Sequence, residues 1–306
     1  MTQASRPQGT DRRLFDVLLP YYGDVDHMKA SVRSVLAQTG DDWHLTVVDD
    51  GYPDPSVATW FGTLDDPRVT YLRNAENLGA NLNYVKATSL AVAPHLVVMG
   101  ADDLMLPGYL ARMRAIVSAQ PDVAVIQPGV TVIDGQGRPT DPLTDRVKRW
   151  SRPRTNAQRV LTGEQLATSL LRGNWTYFPS LCWRTDVVKG LGFRDGLNVV
   201  QDLALLMDVT LSGGSLVLDP EPTFAYRRHA GSDSAVRAVS GDRFREEARY
   251  FASVADLCGQ RGWHRAERAA RVHLTSRLHA ISLLPAAVEA RSASAGVALL
   301  RHAVGW

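Results

Sequence analysis

Two pairs of adjacent aspartates have the types and spacing that could bind a ligand. Asp49 and Asp50 directly follow an apolar run. Asp102 and Asp103 follow a second apolar run, separated from it by two small residues. Short apolar runs bounded by turn residues predict buried strands, and open parallel sheets bind ligands in the crevice at the carboxyl ends of their strands. We therefore expect all four carboxylates on one rim of a sheet.

Four carboxylates on one rim repel each other unless a cation binds among them. Mg²⁺ and Mn²⁺ prefer such hard oxygen ligands and share them with substrate phosphates. The chain has neither Gly-x-Gly-x-x-Gly nor a Gly-Lys-Ser/Thr loop, the usual means of binding phosphate. The pattern therefore favours a divalent cation, Mn²⁺ or Mg²⁺, that carries a diphosphate. For either pair alone, ordinary turn chemistry remains the alternative.

Strands and helices are expected to alternate around these residues. Apolar runs predict strands at 14–19, 45–48, 69–72, 96–99 and 123–126, with a further short strand at Val217 and Leu218. Helical spacing predicts helices at 26–38, 80–92, 107–120 and 201–211. This alternation predicts an α/β fold with a mostly parallel sheet and helices on both faces.

The composition changes outside this alternating region. Residues 1–13 are polar and predict a disordered tail. The stretch 134–158 is rich in Pro, Gly, Arg and Asp, which predicts a long mobile loop. From 242 onward Ala, Arg and Leu dominate, and the spacing predicts two amphipathic helices over 242–284 and another at the end of the chain.

Bulk composition excludes some classes of protein. With 306 residues, 45% of them apolar, the chain can bury a full core. The net charge of +2 argues against nucleic acid as a partner. Cys182 and Cys258 have no metal-type spacing, and neither a signal peptide nor a run of about 18 apolar residues occurs. These features lead us to expect a cytoplasmic protein.

Seven segments carry a resemblance to a known family. They are Val17–Tyr22, Ser31–Thr39, Val47–Gly51, Asn77–Gly79 with Asn81 and Asn83, Ala101–Pro107, Gln201–Asp202, and Tyr226–His229 with Ser232 and Ser234. In this order they resemble the motifs of family 2 glycosyltransferases with the GT-A fold. The resemblance covers about 14–235.

This resemblance implies a domain layout and an activity. The layout is a GT-A catalytic domain at 14–240, with a nucleotide-sugar-binding half at 14–130, an acceptor half at 131–240, and a helical C-terminal region at 241–306. The activity is inverting transfer of a sugar from a nucleotide-diphosphate sugar, with UDP or dTDP favoured, to a hydroxyl acceptor. Such acceptors occur in cell-surface polysaccharide, glycolipid and secondary-metabolite glycosylation.

The resemblance also implies roles on the donor side. Asp50 would accept a hydrogen bond from the imide N–H of a pyrimidine base, and Pro20 would line the base pocket through its carbonyl. Asp103 would bind the metal, and Asp102 would contact the ribose or the sugar. The other expected donor-binding residues are Tyr22, Asp49, Asn77, Gly79 and Asn83.

On the acceptor side, Asp202 would be the general base that removes the acceptor proton. The alternative is a carboxylate placed there to favour a helix N-terminus. Gln201 replaces the family's usual acid, and Ala101 stands where many relatives carry a third acid of the metal motif. His229 would be a metal ligand, a phosphate contact or a structural residue. Trp175, in an expected loop, would stack on an acceptor sugar.

Two other functions stay open at this stage. A non-catalytic nucleotide-sugar-binding module would keep the pocket without the chemistry. A sugar nucleotidyltransferase would need a basic, Gly-rich loop after the first strand. This chain has Pro20–Asp24 there, a segment without a basic residue. The C-terminal helices, with apolar Phe244, Phe251 and Val254, are expected to lie apart from the crevice. They would rest on anionic lipid, pack on the core or form a homodimer.

Overall fold

The structure is a computed structural model that describes residues 13–229 and 242–282, with six further positions between 284 and 303. Nearly all of the expected tail at 1–13 lies outside the described residues, as do Ser232 and Ser234 of the closing motif. The side chain of Phe244 and most of the expected final helix also lie outside them.

The first half of the chain alternates as predicted. Its elements are β1 (Phe15–Tyr21), α1 (Val25–Leu36), β2 (Trp43–Asp49), α2 (Ser56–Gly62), β3 (Val69–Arg73), α3 (Ala80–Ser89) and β4 (His95–Val98). Every strand and helix predicted for this half is present within a few residues of its predicted bounds. Only α2 was not predicted, and its seven residues are too few for a clear helical period.

The second half is less regular. Its elements are β5 (Leu104–Met105), α4 (Tyr109–Ala119), β6 (Val125–Ile133), α5 (Leu143–Ser151), β7 (Arg159–Thr162), α6 (Gly163–Arg172), a 3-10 helix (Phe178–Ser180), β8 (Cys182–Arg184), α7 (Thr185–Leu191), α8 (Gln201–Leu211) and β9 (Ser215–Arg227). The stretch 134–158 contains α5, so the prediction of a structureless loop was wrong. The short strand predicted at Val217 and Leu218 is the start of the 13-residue β9.

These strands form one sheet in the order β3-β2-β1-β4-β8-β6-β9-β5, with β7 paired to β9. From β3 to β4 the pairing is parallel, whereas the other half mixes parallel and antiparallel neighbours. The chain runs outward from β1 to β2 and β3, then returns to place β4 on the other side of β1. Such a reversal opens a crevice at the carboxyl ends of the two strands. Here β4 pairs only with Phe15–Leu18, so Pro20 and Tyr21 extend beyond it.

The C-terminal helices are α9 (Asp242–Gln260), α10 (His264–Val272) and α11 (Leu274–Ser282), three helices where two were predicted. Tyr250, Val254 and Cys258 of α9 belong to the same buried cluster as Leu166 and Leu170 of α6. Burying side chains of this size contributes about 1.5–3 kcal/mol each, so α9 is part of the folded core. In the described part of the chain, no helix is long and apolar enough to cross a membrane.

Candidate active site

The rim of the crevice next to β1 is aromatic. Pro20 and Tyr21 are buried at the end of the strand, and the hydroxyl of Tyr21 donates to the carbonyl of Gly23 at 2.9 Å. The following Tyr22 is 57% exposed, and its ring meets that of Tyr52 edge to face, with centroids 5.3 Å apart. The structure thus places Pro20, in β1, and Tyr22, directly after it, at the crevice; both were predicted to bind the donor.

Asp50, at the end of β2, organises the neighbouring loop. Its Oδ1 accepts hydrogen bonds from the amide of Asn74 at 2.7 Å and from the backbone N–H of Leu78 at 2.9 Å. Its Oδ2 accepts from the backbone N–H of Gly79 at 2.9 Å. Gly79 has φ of 81°, a conformation that glycine adopts without strain. Asp50 therefore fixes the Asn77–Gly79 loop at the start of α3.

The two asparagines expected near the donor differ in position. Asn83 is 2% exposed; its amide donates to the carbonyl of Val48 at 2.9 Å and accepts from Asn74 at 3.1 Å. It therefore supports Asn74 and Asp50 from inside the protein, which corrects the expectation that it touches the donor. Asn77 is exposed, and its Oδ1 accepts from the backbone N–H of Gly79 at 2.9 Å.

Asp49 is buried and held by two donors of its own. The backbone N–H of Tyr52 donates to its Oδ1 at 2.7 Å, and the hydroxyl of Tyr71 donates to its Oδ2. Burial, and then this hydrogen bond to a carboxylate, raise the pKa of Tyr71 well above its usual range. Asp49 thus connects the end of β2 to β3 through Tyr71, and to the segment that follows β2 through Tyr52.

The second aspartate pair contains a buried oxygen with no partner. Asp103 is 1% exposed, and its Oδ1 accepts a 2.8 Å hydrogen bond from the backbone N–H of Arg227. Its Oδ2, also buried, has no hydrogen-bond partner among the described residues. A Cβ at Gly100 would lie 2.6 Å from this oxygen and 2.9 Å from Oδ1 of Asp102. A side chain at this position would therefore require the carboxylates to move.

Burial, and then the adjacent Asp102, raise the pKa of Asp103 well above its usual range. An anionic Asp103 therefore needs a positive partner. The backbone of its loop is already held, because Ser31 Oγ donates to the carbonyls of Ala101 and Asp103 at 2.9 and 2.6 Å. Arg227 Nε donates to the carbonyl of Asp102 at 2.7 Å, so this guanidinium bonds the backbone of the loop.

A divalent cation fits these residues. His229 Nε2 lies 2.9 Å from Asp102 Oδ2, and the rings of His229 and His27 are 5.4 Å apart. Carboxylate oxygens with a nearby imidazole are suitable ligands for Mn²⁺ or Mg²⁺. Within the described ranges, no three acidic, His or Cys side chains form a complete metal cage. A cation held here would therefore need phosphate oxygens or water to complete its shell.

Asp202, the candidate base, lies in the first turn of α8. Its Oδ2 accepts a 2.9 Å hydrogen bond from the amide of Asn174, and Thr176 Oγ1 donates to Asn174 Oδ1 at 2.7 Å. Asn174 was not predicted as a functional residue, and its spacing from Asp202 gave no signal. Gln201, the first residue of α8, is half-buried beside Asp202.

The loop before α8 is held by the C-terminal region. Glu246 Oε1 accepts from the backbone N–H groups of Asn198, Val199 and Val200 at 2.9, 2.7 and 3.1 Å. These residues lead directly into Gln201 and Asp202. The expectation that the C-terminal helices lie apart from the crevice is therefore corrected, because α9 contacts the segment that carries the candidate base.

Hydrogen bonds connect the two ends of the site. Tyr177, next to Thr176, donates its hydroxyl to Asp145 Oδ1 at 3.0 Å. The guanidinium of Arg228 makes a two-pronged contact with the same carboxylate at 3.0 Å. Arg228 directly follows Arg227, whose backbone binds Asp103. Asp145 was not identified from sequence, since it falls in a stretch that was read as an irregular loop.

Trp175 is not where the sequence led us to expect it. It is 1% exposed and packs in the same core cluster as Trp183 and Leu203. Its ring is covered by protein on both faces, so it does not offer a surface on which an acceptor sugar can stack. The glycine before it misled the prediction, because Gly173 marks a close approach of other side chains rather than an exposed loop.

Comparison with solved structures defines the class of fold. S. aureus TarS, residues 1–349, solved in complex with UDP-GlcNAc, superposes with a TM-score of 0.64. The match covers 95% of this chain and 92% of that one at 14% sequence identity. The fold is therefore that of a GT-A glycosyltransferase, with helices added at the C-terminus.

The sequence defines the family. The model of glycosyl transferase family 2 matches residues 16–182, more than half of the chain, so this chain belongs to glycosyl transferase family 2. An uncharacterized glycosyltransferase of Methanocaldococcus jannaschii is 25% identical over 63% of this chain. The succinoglycan biosynthesis protein ExoO of Rhizobium meliloti is 25% identical over 70% of it. The matches cover 63% and 61% of those two proteins, less than two thirds of their length.

Proposed function

We propose that this chain is a metal-dependent, inverting glycosyltransferase that uses a nucleotide-diphosphate sugar, with UDP or dTDP favoured, and a hydroxyl acceptor. The observation that carries the proposal is the buried Oδ2 of Asp103, which has no hydrogen-bond partner in the described part of the chain, at the crevice between β1 and β4. Membership of glycosyl transferase family 2 supports the reaction class. The likeness to a protein solved with UDP-GlcNAc supports the class of donor.

The base of the donor would lie against the end of β1. A carboxylate has about four acceptor positions, and three on Asp50 are used by Asn74, Leu78 and Gly79. The remaining one suits a single donor such as the imide N–H of uracil or thymine. Tyr22, exposed on the rim, offers a ring face beside the base, and the Pro20 carbonyl closes the pocket.

The diphosphate would lie at the end of β4. Asp103 would hold the cation through its free oxygen, with Asp102 and His229 beside it. A divalent cation bound there stabilises the negative charge that develops on the diphosphate leaving group. Ser31 and Arg227 keep the loop in place, so the carboxylates need not reorganise when the donor binds.

Asp202 would act as the general base. The acceptor oxygen attacks the anomeric carbon as the bond to the diphosphate breaks, and the acceptor proton passes to a carboxylate oxygen of Asp202. The amide of Asn174 holds that carboxylate in one orientation. A single displacement inverts the anomeric configuration. The acceptors we propose are those of polysaccharide, glycolipid or secondary-metabolite glycosylation.

A donor screen tests this proposal. Binding of UDP-, dTDP- and GDP-sugars is measured by calorimetry with Mn²⁺, with Mg²⁺ and with EDTA. Sugar transfer and slow donor hydrolysis are then followed by NMR, which also reports the anomeric configuration of the product. We expect metal-dependent binding of a pyrimidine donor and a product of inverted configuration. Tight binding with neither transfer nor hydrolysis would instead favour a non-catalytic binding module, and a retained configuration would exclude the single displacement.

A further inference from the structure

The exposed face of α5 is apolar. Leu143, Val147 and Trp150 are 68%, 39% and 75% exposed. They lie four and three residues apart, which places them on one side of a helix. Three large apolar side chains in line on a surface helix are unusual, because exposed apolar residues are normally scattered singly.

The opposite face fixes this helix to the site. Asp145 is buried against Arg228 and Tyr177, and Lys148 Nζ donates to the carbonyl of Thr176 at 2.6 Å. These contacts fix the orientation of α5 on the protein. The apolar stripe therefore points to solvent as a consequence of the fold.

A second apolar stripe lies on α11, a helix that comes close to the end of α5. Leu274, Leu278 and Ile281 of α11 are each about half exposed, again at spacings of four and three residues. The two helices approach each other at Gly173. A Cβ at that glycine would lie 3.1 Å from the Ser151 side chain of α5 and 3.0 Å from the Thr275 side chain of α11. We refer to the six apolar residues of the two stripes as the α5–α11 surface.

Arginines border the α5–α11 surface. The exposed residues there include Arg146 and Arg149 of α5 and the nearby Arg172. Arg149 forms a surface ion pair with Asp141. The only carboxylate in α5 is the buried Asp145, and α11 contains neither Asp nor Glu. Both helices thus combine an apolar stripe, which includes Trp150 on α5, with bordering arginines, and neither carries an exposed acid. This composition is typical of helices that lie in the interface of an anionic bilayer.

We propose that the α5–α11 surface binds peripherally to a bilayer that contains anionic lipid. Leu143, Trp150 and the α11 residues enter the boundary between headgroups and acyl chains, while the arginines remain at the phosphates. Gly173 at the junction directly precedes Asn174, the partner of Asp202. The bilayer therefore lies on the acceptor side of the crevice. The position of the bilayer relative to the acceptor favours an acceptor held in the membrane, and this inference depends on the proposed function. The binding of the α5–α11 surface to a bilayer does not depend on it.

Vesicle flotation tests this surface in the full-length protein. We expect the wild type to float with phosphatidylcholine vesicles that contain phosphatidylglycerol at low salt, and much less with phosphatidylcholine alone. Leu143→Ser combined with Trp150→Ser removes two apolar groups and should weaken binding at least about tenfold. Arg146→Gln with Arg149→Gln should weaken it and reduce its dependence on salt. The control Val92→Ser changes an apolar residue that is 69% exposed elsewhere and should float like the wild type.

Quenching by brominated lipid gives a second measurement at Trp150 itself. Trp150→Phe keeps an aromatic ring, so it should bind like the wild type while losing the part of the quenching that comes from this indole. Failure of the wild type to float would overturn the proposal, as would unchanged flotation of the Leu143→Ser/Trp150→Ser variant. Concentration-dependent dimers without vesicle binding, dispersed by the same variant, would assign the surface to a second copy instead. None of these outcomes depends on sugar transfer, so the proposed function can stand or fail separately.

Discussion

The backbone N–H of Arg227 donates a 2.8 Å hydrogen bond to Oδ1 of Asp103, a residue 124 positions earlier in the chain. The contact exists because β9 pairs antiparallel with β5, which directly follows Asp103. It satisfies one carboxylate oxygen and leaves the other buried without a partner among the described residues. The fold therefore holds a carboxylate in place at a cost that a bound cation can offset.

Asp103→Asn should stabilise the metal-free protein. Where Asp103 is ionised, the change replaces a buried charge by a neutral amide while its Oδ1 can still accept from Arg227, so we expect a gain of about 1–3 kcal/mol, because an unpaired buried charge costs more than an unpaired buried amide. At roughly 2–4 °C per kcal/mol, the melting temperature in EDTA should rise by several degrees. Calorimetry should show that nucleotide-diphosphate binding no longer depends on Mn²⁺.

The control for this change is Asp122→Asn, which removes an exposed carboxylate away from the crevice. It should alter neither the melting temperature nor metal-dependent binding. If Asp103→Asn bound the nucleotide like the wild type, with and without EDTA, the cation would have to lie elsewhere.

Asp202→Asn separates donor binding from transfer. The proposed donor site lies at the ends of β1, β2 and β4, so nucleotide affinity should stay near that of the wild type. Loss of a positioned base should lower kcat by roughly 10²–10⁴. A carboxylate that only favours the start of α8 would instead cost under about 1 kcal/mol of stability and leave turnover unchanged.

Asn174→Ala is the companion change, because it frees Asp202 without removing it. Transfer should fall less than in Asp202→Asn, while donor binding again stays near that of the wild type. Unimpaired transfer in both variants would move the base to another carboxylate, and Asp195 and Asp208 would be tested next.

The strands that carry the aspartate pairs could be predicted because the signal for each strand lies within a few consecutive residues. Buried parallel strands read as continuous apolar runs, and the parallel half of the sheet consists of such runs. The rule that ligands gather at carboxyl ends then placed Asp50 and Asp103 on one rim. The partners of these residues could not be predicted, because Arg227 reaches Asp103 through the pairing of two distant strands.

The region 131–240 shows why composition alone misleads. A stretch rich in Pro, Gly and Arg contains α5, which is fixed by the pair between Asp145 and Arg228 across 83 positions. Trp175 follows Gly173 and Asn174 in a loop, yet packing covers its ring. Burial of this kind is decided by tertiary contacts that no local window contains.

Glu246→Ala should weaken the loop before α8. One carboxylate oxygen accepts three backbone N–H groups there, and removing it leaves donors that solvent must satisfy. We expect a loss of about 1–3 kcal/mol in the free energy of unfolding, measured with denaturant. Because the loop leads into Asp202, kcat should also fall several-fold, while Mn²⁺-dependent nucleotide binding is retained.

Glu246→Gln distinguishes a positioning role from general support. Its amide oxygen can still accept from the loop, so most of the lost turnover should return. Glu221→Ala, an exposed carboxylate on β9, is the control and should match the wild type in both measurements. Equal stability loss in the Ala and Gln variants, with turnover unchanged in both, would contradict the link to Asp202.

Asp145→Asn should destabilise the protein in a pH-dependent way. Burial alone would raise the pKa of Asp145, but hydrogen bonds and charge from Arg228 outweigh it and hold the pKa below its usual range. A carboxyl whose pKa is lowered on folding stabilises the protein above its unfolded value, about 3.9, and this stabilisation is lost as the pH falls through the folded value. At pH 7 the variant should lose about 3 kcal/mol, the lower end for breaking a buried pair.

The sign of the pH dependence is the test of this assignment. Urea unfolding of both proteins between about pH 3 and 7 should give a constant difference near neutrality and a shrinking one below about pH 4, where protonated Asp145 comes to resemble asparagine. Asp141→Asn removes the exposed partner of Arg149 in the same region, and a surface pair of that kind contributes less than about 1 kcal/mol. A stability difference that stayed constant down to pH 3, or that grew on acidification, would mean that the ionised carboxylate does not hold Arg228, and that α5 is fixed to the site by packing alone.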